Sequence, residues 1–315
     1  MGEQCNMKNF VVTASPFIKR QTNARNLEEQ KALMLFTLIC AGSFVYGAKS
    51  LLILAVSLAS AFVFELLYNF ICYDKFKVKN LSFIITALTY TAICEVNTPW
   101  YVPIIAMGFG VIVVKMMFGG VSNNICNIGG AGAIFTGIIF ANVSNAWAAT
   151  TGSSFSIKIF SKIASNSFFG FNFLDFVKGN ISAPIGCVFF IGTLAAAIYL
   201  IIARVIDWKM PLVAIIVYLG MAFVLSGFNY YCIPVYLLAG NFLFVTFLML
   251  TDYTTSPNTT LGQIFYALIF GLLAGAAVRF NLAGNLGIIA SLLIANSFSP
   301  LLDRVIRPKY FGEGK

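Results

Sequence analysis

Apolar segments separated by short polar connections follow one another along nearly the whole chain of 315 residues. Many approach the length of about 20 residues that an α-helix needs to cross the hydrocarbon core of a bilayer. The pattern predicts ten spans, at residues 32–47, 50–72, 81–95, 99–118, 128–147, 181–203, 210–226, 231–250, 262–279 and 282–299. The expected fold class is therefore all-α: a polytopic membrane protein with about ten transmembrane helices.

The ten predicted spans form a single transmembrane domain over residues 31–300. A polar tail covers residues 1–30, and a short tail covers residues 301–315. The first tail lacks the apolar stretch after a basic start that marks a cleavable signal peptide, so we expect it to stay on the protein.

The composition supports a membrane protein and narrows its chemistry. Hydrophobic residues make up 59% of the chain and charged residues 10%, against about 25% charged residues in soluble domains. Histidine is absent, which excludes bis-histidine haem, histidine-built zinc sites, Ser-His-Asp or Cys-His nucleophiles and a histidine proton relay. We therefore predict no catalytic side chain and no metal site, and expect the chemistry to come from a cofactor.

The seven cysteines occur singly, without a C-x-x-C pair. This spacing indicates neither an iron-sulfur ligand set nor a disulfide framework, and we expect most of them to be small core residues.

The net charge of +9 indicates topology rather than a nucleic-acid partner, since the basic residues form no stripe interleaved with aromatics. With a cytoplasmic N-terminus, fifteen of the 20 lysines and arginines fall in inner segments. The positive-inside rule then predicts that both termini are cytoplasmic and that the longest connection, residues 148–180, lies outside. A connection of this length is usually functional or disordered. Its hydroxyl-rich run from Ala149 to Ser156 favours, from composition alone, a solvated loop.

Two inner connections, Phe118 to Asn127 and Thr251 to Thr260, have unusual polar sequences, the first with two adjacent glycines and the second rich in threonine. The segments before them can be superposed at an offset of roughly 130 residues, which indicates a weak internal duplication. Repeat-built membrane proteins often bind their ligand where irregular backbone meets between repeats. Ordinary turn chemistry is the alternative interpretation of these two connections.

A few residues within the apolar segments stand out. We expect Glu65 to be a snorkelling residue that pairs with the basic connection Lys75 to Lys79. For Asp252 we expect a functional role. Lys115 is a third charge at a span boundary. Gly271 and Gly275 form G-x-x-x-G, which predicts close helix packing.

A set of short motifs along the chain resembles the family that contains the D subunit of Rnf complexes and the B subunit of Nqr complexes. These motifs are Ser15-Pro16, Thr86-Ala87-Leu88, Pro99-Trp100, Lys115, Phe118-Gly119-Gly120, Asn124-Ile125, Asn127, Phe176 to Asn180, Ile185-Gly186, Thr251-Asp252, Thr255-Ser256-Pro257, Gly262-Gln263 and Pro300 to Asp303. The resemblance implies a ten-helix membrane subunit of an ion-pumping, flavin-containing electron-transfer complex, from ferredoxin to NAD (Rnf) or from NADH to quinone (Nqr). It further implies a bacterial cytoplasmic membrane, other complex subunits as partners, and an oxidoreductase of the Rnf type coupled to Na⁺ or H⁺ translocation.

The resemblance also implies a covalent flavin. Family members carry FMN through a phosphoester on the last threonine of a Ser/Thr-Gly-Ala-Thr motif, attached by an exported flavin transferase. The matching residues are Thr151, Gly152, Ser153 and Ser154, so Ser154 is the expected acceptor. The sequence departs from the motif at Ser153, at Ser154 and at Phe155, which replaces the family's proline.

A second, noncovalent flavin such as riboflavin is a further expectation. The inner-connection residues expected to contact a cofactor are Gly120, Asn124, Asn127, Asp252, Thr255 and Ser256. Three departures weaken the case for ion coupling: Cys187 replaces a family glutamate, Leu286 an acidic residue, and Phe17 a histidine. The alternatives are a cofactor-free transporter or permease and a structural subunit that has lost its flavin.

Overall fold

The computed structural model describes residues 24–73, 82–120, 123–140, 163, 183–238, 240–282 and 284–306. The regular elements of these ranges are all helical, which confirms the all-α prediction. The α-helices are α1 (Ala24–Tyr46), α2 (Ala48–Tyr73), α3 (Ser82–Ile93), α4 (Tyr101–Gly108), α5 (Ile128–Ile139), α6 (Phe190–Ile202), α7 (Lys209–Leu225), α8 (Cys232–Leu237), α9 (Phe242–Phe244), α10 (Thr260–Arg279) and α11 (Asn285–Val305). A 3₁₀ turn, Ile185–Cys187, precedes α6.

Several helices differ in extent from the predicted spans. Among the described residues, three helical stretches are long and apolar enough to cross a membrane: Ala48–Ile71, Thr260–Arg279 and Asn285–Val305. The predicted span 231–250 is divided, since α8 ends at Leu237 and α9 begins at Phe242. Hydropathy reports the transfer of side chains into lipid and is insensitive to such a break in the helical hydrogen-bond ladder.

Helix α10 packs closely against α7 through small residues. A Cβ at Gly271 would stand 2.9 Å from the Ala214 carbonyl oxygen, and one at Gly275 would stand 2.9 Å from Met221 Cβ. α10 therefore approaches α7 at backbone distance, and it also packs against α11. The prediction that Gly271 and Gly275 serve helix packing is confirmed.

The short helix α3 lies at the centre of the first half, in contact with α1, α2 and α5. A Cβ at Gly129 would stand 2.4 Å from Thr89 Oγ1 and 2.9 Å from the Tyr90 nitrogen. The first turn of α5 is therefore held directly against α3. This contact fixes the position of the connection that precedes α5.

The two halves of the chain repeat one arrangement. α4 continues as a π-helix over Phe109–Met116, and α9 continues as a π-helix over Val245–Met249. Each π-helix leads into a polar connection and then into a helix with a side-chain N-cap. Asn127 accepts from the Gly130 N–H and Thr259 from the Gly262 N–H, 132 residues further on in both cases. The structure thus supports the internal duplication, and π-helical segments frequently mark functional sites.

Candidate functional site

A charged cluster joins the two repeated connections. Lys31 Nζ of α1 lies 3.2 Å from Asp252 Oδ1, and Asn127 Nδ2 donates to Asp252 Oδ2 at 3.4 Å. The Asn127 Oδ1 atom accepts from the Gly130 N–H at 3.1 Å. Asn127 therefore caps α5 and positions Asp252 at the same time. The carboxylate is held by one cation and one amide in a largely buried position.

Tyr253 continues this cluster toward the start of α1. Its hydroxyl donates to Glu28 Oε1. Burial and the hydrogen bond to the Glu28 carboxylate raise the pKa of Tyr253 above its ordinary value, so the phenol stays protonated and acts as a donor.

Two polar cavities open beside the cluster. The first, of about 50 Å³, lies between α1, α3 and the two connections and includes Lys31, Thr86, Thr89, Asn127 and Asp252 in its lining. The second, of about 340 Å³, lies between the Asp252 connection and α11, and includes Thr255, Ser256, Asn258, Asn296 and Asp303. Asn124 and Tyr253 line both cavities, so one polar region extends across the junction of the repeats.

The larger cavity contains buried polar atoms that lack a hydrogen-bond partner. They are Asn124 Oδ1, Thr255 Oγ1 and Asn296 Nδ2. Asn296 is wholly buried on α11, and its other amide atom, Oδ1, accepts from the Tyr266 hydroxyl. Because unpaired buried polar groups are costly, these atoms require donors and acceptors from water or from a ligand in the cavity.

The structure brings together most of the predicted inner-site residues. Asn127 and Asp252 line the first cavity, Thr255 and Ser256 line the second, and Asn124 lines both. Gly120 lines neither.

Gly120 instead adopts φ +89°, and its N–H donates to the Lys115 carbonyl at the end of the first π-helix. It therefore shapes the backbone that leads to the site. Thr151, Gly152, Ser153 and Ser154 lie outside the described residues.

The prediction that Glu65 snorkels and pairs with the connection Lys75 to Lys79 was wrong. Glu65 Oε2 lies 2.5 Å from Lys115 Nζ, and the side chains are 5% and 0% exposed. The pair joins α2 to the π-helix after α4, so Glu65 is a buried residue rather than a snorkelling one. Of the cysteines, Cys94, Cys187 and Cys232 are buried, as expected for core residues.

Sequence reasoning assigned no site role to Lys31 or Asn296. Lys31 was interpreted only as a topology signal, because its partner lies more than 200 residues further along the chain. A signal for Asn296 did exist: it is an amide inside the predicted span 282–299, and polar residues at such positions are candidates for function.

Nearly the whole chain is similar to known proteins. The model of the NQR2, RnfD, RnfE family matches residues 11–312. The D subunit of the Na(+)-translocating ferredoxin:NAD(+) oxidoreductase complex of Acetobacterium woodii is 24% identical, over 98% of both chains. The D subunit of the ion-translocating oxidoreductase complex of Methanosarcina acetivorans is 26% identical, over 97% of this chain and 98% of its own. The B subunit of the Na(+)-translocating NADH-quinone reductase of Neisseria meningitidis is 26% identical, over 71% of this chain and 59% of its own.

Proposed function

Because the chain belongs to the NQR2, RnfD, RnfE family, we propose that it is the membrane-embedded D subunit of an ion-translocating ferredoxin:NAD⁺ oxidoreductase. The ferredoxin type is favoured over the NADH-quinone type because the chain covers a larger share of its D subunits. The chain spans 98% of two D subunits but 59% of the B subunit of the NADH-quinone reductase. Its partners are then the other subunits of such a complex, and its location is the bacterial cytoplasmic membrane with both termini inside.

A covalent FMN on Ser154 is the first part of this function. The support is the sequence alone: Thr151, Gly152 and Ser153 precede a hydroxyl at the position of the family's acceptor. Serine and threonine offer the same oxygen nucleophile. An exported flavin transferase can reach this oxygen if the connection lies outside.

In-gel fluorescence tests the covalent flavin. Membranes from cells that co-express a compatible transferase are run on a denaturing gel under ultraviolet light, and we expect a fluorescent band for the wild type. Ser154→Ala should abolish the fluorescence and Ser154→Thr should keep it. Ser153→Ala is the matched control and should stay fluorescent. A dark wild-type band from native membranes would favour a flavin-free transporter or structural subunit.

The larger inner cavity is the proposed site of the second, noncovalent flavin, and the observation that supports it is the set of unpartnered buried atoms. A flavin's pyrimidine edge offers carbonyl acceptors and an N–H donor. Asn296 Nδ2 can donate to such an acceptor, Asn124 Oδ1 can accept from such a donor, and the Thr255 hydroxyl can do either. The residues present therefore fit the cofactor's polar edge.

Electron transfer would be the chemistry that a bound flavin supplies, and the chain's own residues would hold and tune it. Lys31 lines the smaller, adjoining cavity and stabilises negative charge there, but its ion pair with Asp252 offsets much of this effect. Asn127 keeps Asp252 in place through the α5 cap. The Lys31–Asp252 pair is therefore neutral as a unit.

Two isosteric substitutions test the inner site. Thr255→Val removes an unpartnered hydroxyl, and a hydrogen bond of about 1 kcal/mol corresponds to roughly fivefold weaker retention of the noncovalent flavin. Thr251→Val removes a hydroxyl that already donates to the Phe247 carbonyl of the preceding π-helix, and should leave flavin retention unchanged. The measurement is the noncovalent flavin extracted per purified complex after graded dilution. Equal retention in both variants would place the flavin elsewhere.

A further inference from the structure

Glu95 lies at the end of the bundle opposite the Lys31–Asp252 cluster. Ser82 at the start of α3 lines the first cavity, whereas Glu95 follows the other end of the same helix in the connection to α4. A helix of 12 residues separates these ends by about 18 Å. The Glu95 main chain is fixed, because its carbonyl oxygen accepts from the N–H of Thr98 at 3.2 Å and from its Oγ1 at 2.7 Å.

Among the described residues, uncharged groups surround the carboxyl of Glu95, which is partly buried. The Tyr46 hydroxyl of α1, the neighbouring Cys94 thiol and the Cys187 thiol of the 3₁₀ turn lie within electrostatic range of it, and Asn285 approaches from the start of α11. In the part of the chain that the structure describes, no lysine or arginine lies within ion-pair distance of Glu95. A carboxylate withdrawn from water without a cation is costly unless it is neutralised.

Asn285 provides a partner that suits a neutral carboxyl group. Its Nδ2 donates to Glu95 Oε1 at 3.2 Å, while its Oδ1 is buried and has no hydrogen-bond partner. A carboxylate can only accept, so it cannot satisfy Asn285 Oδ1. A protonated carboxyl group gains an O–H donor, and an acid and an amide can then pair through two hydrogen bonds.

We propose that Glu95 and Asn285 form a proton-binding site at this end of the bundle. The proton adds to the Oε2 atom of the Glu95 carboxylate, its charge changes from −1 to 0, and the new O–H donates to Asn285 Oδ1. The proton comes from, and returns to, the aqueous phase at this end. The site goes beyond the proposed electron-transfer function and does not depend on either flavin.

The pKa of the Glu95 carboxyl group supports proton exchange near physiological pH. Withdrawal from water raises the pKa of the Glu95 carboxyl to about 7, and the Asn285 amide donor acts in the opposite direction. The carboxyl group would therefore be protonated below neutral pH and ionised above it.

Infrared difference spectroscopy of the purified complex at acidic and alkaline pH tests the site. The C=O stretch of a protonated carboxylic acid is separate from that of a carboxylate. We expect a protonated-acid band in the wild type that titrates near neutral pH and is lost in Glu95→Gln. Asp207→Asn is the matched control, since Asp207 is exposed in the connection between α6 and α7, and it should retain the band.

A second variant tests the acid–amide pair itself. Asn285→Leu keeps the carboxyl group but removes both hydrogen-bond partners, so the acid band should persist at a higher frequency. The oligomeric integrity of each complex is checked by size-exclusion chromatography. An unchanged band in Glu95→Gln would overturn the proposal. So would a wild-type band that Na⁺ displaces at fixed pH, because the ligand would then be a metal cation.

Discussion

The buried ion pair between Glu65 and Lys115 leads to a prediction about stability and pH. The two side chains lie 2.5 Å apart with almost no exposure, so removal of either partner leaves an unpaired charge in a low-dielectric interior. Breaking such a pair typically costs about 3–5 kcal/mol. The remaining group can limit this cost by becoming neutral.

The stabilities of the two single variants should depend on pH in opposite directions. For Lys115→Met, protonation of a glutamate that titrates near 4.3 in water costs about 4 kcal/mol at pH 7. The folded protein then binds one more proton than the unfolded chain, so its stability falls as the pH rises. For Glu65→Gln, deprotonation of a lysine that titrates near 10.4 costs about 4.6 kcal/mol at pH 7, and stability rises with pH.

The assay is the free energy of unfolding from SDS titration in mixed micelles at pH 6 and pH 8. Each single variant should change by about 2.7 kcal/mol over this interval, relative to the wild type and in opposite directions. The double variant Glu65→Leu/Lys115→Met should recover most of the stability and lose the pH dependence. Lys49→Met is the control, because Lys49 is exposed. Parallel pH slopes in the two single variants would refute the reasoning.

Three further predictions concern the backbone, the charged cluster and the topology. Gly120 and Gly220 both have open space where a Cβ would be, but of the two only Gly120 has a positive φ. Gly120→Ala should therefore lower the free energy of unfolding by about 1–2 kcal/mol. Gly220→Ala is the control and should not lower it. Asp252→Asn should reduce flavin-dependent electron transfer without lowering expression, since it removes the negative charge beside Lys31; wild-type turnover would exclude that role. A cysteine at Asn166 should react with an impermeant maleimide in intact cells after the native thiols are shown to be silent, and labelling confined to inverted vesicles would reverse the orientation.

Part of the inner site could be predicted because its residues are local in sequence. Asn124 and Asn127 belong to one connection, and Asp252, Thr255 and Ser256 belong to the other. The internal duplication supplied the reason to expect these two connections to meet. The prediction missed Asn296, which enters the same cavity from α11, because the duplication argument concerned connections rather than helices.

The all-α membrane class follows from the order of residues alone, because the partition of each side chain between water and lipid is a local property that adds along a segment. The same holds for the small residues that permit close helix contact, as at Gly271 and Gly275. Which polar groups face one another depends instead on the folded chain: Lys31 with Asp252, Glu65 with Lys115, and Glu95 with Asn285. Hydropathy measures the cost of moving a polar side chain out of water, but the partner that offsets this cost is chosen by helix packing between residues 50 to more than 200 positions apart.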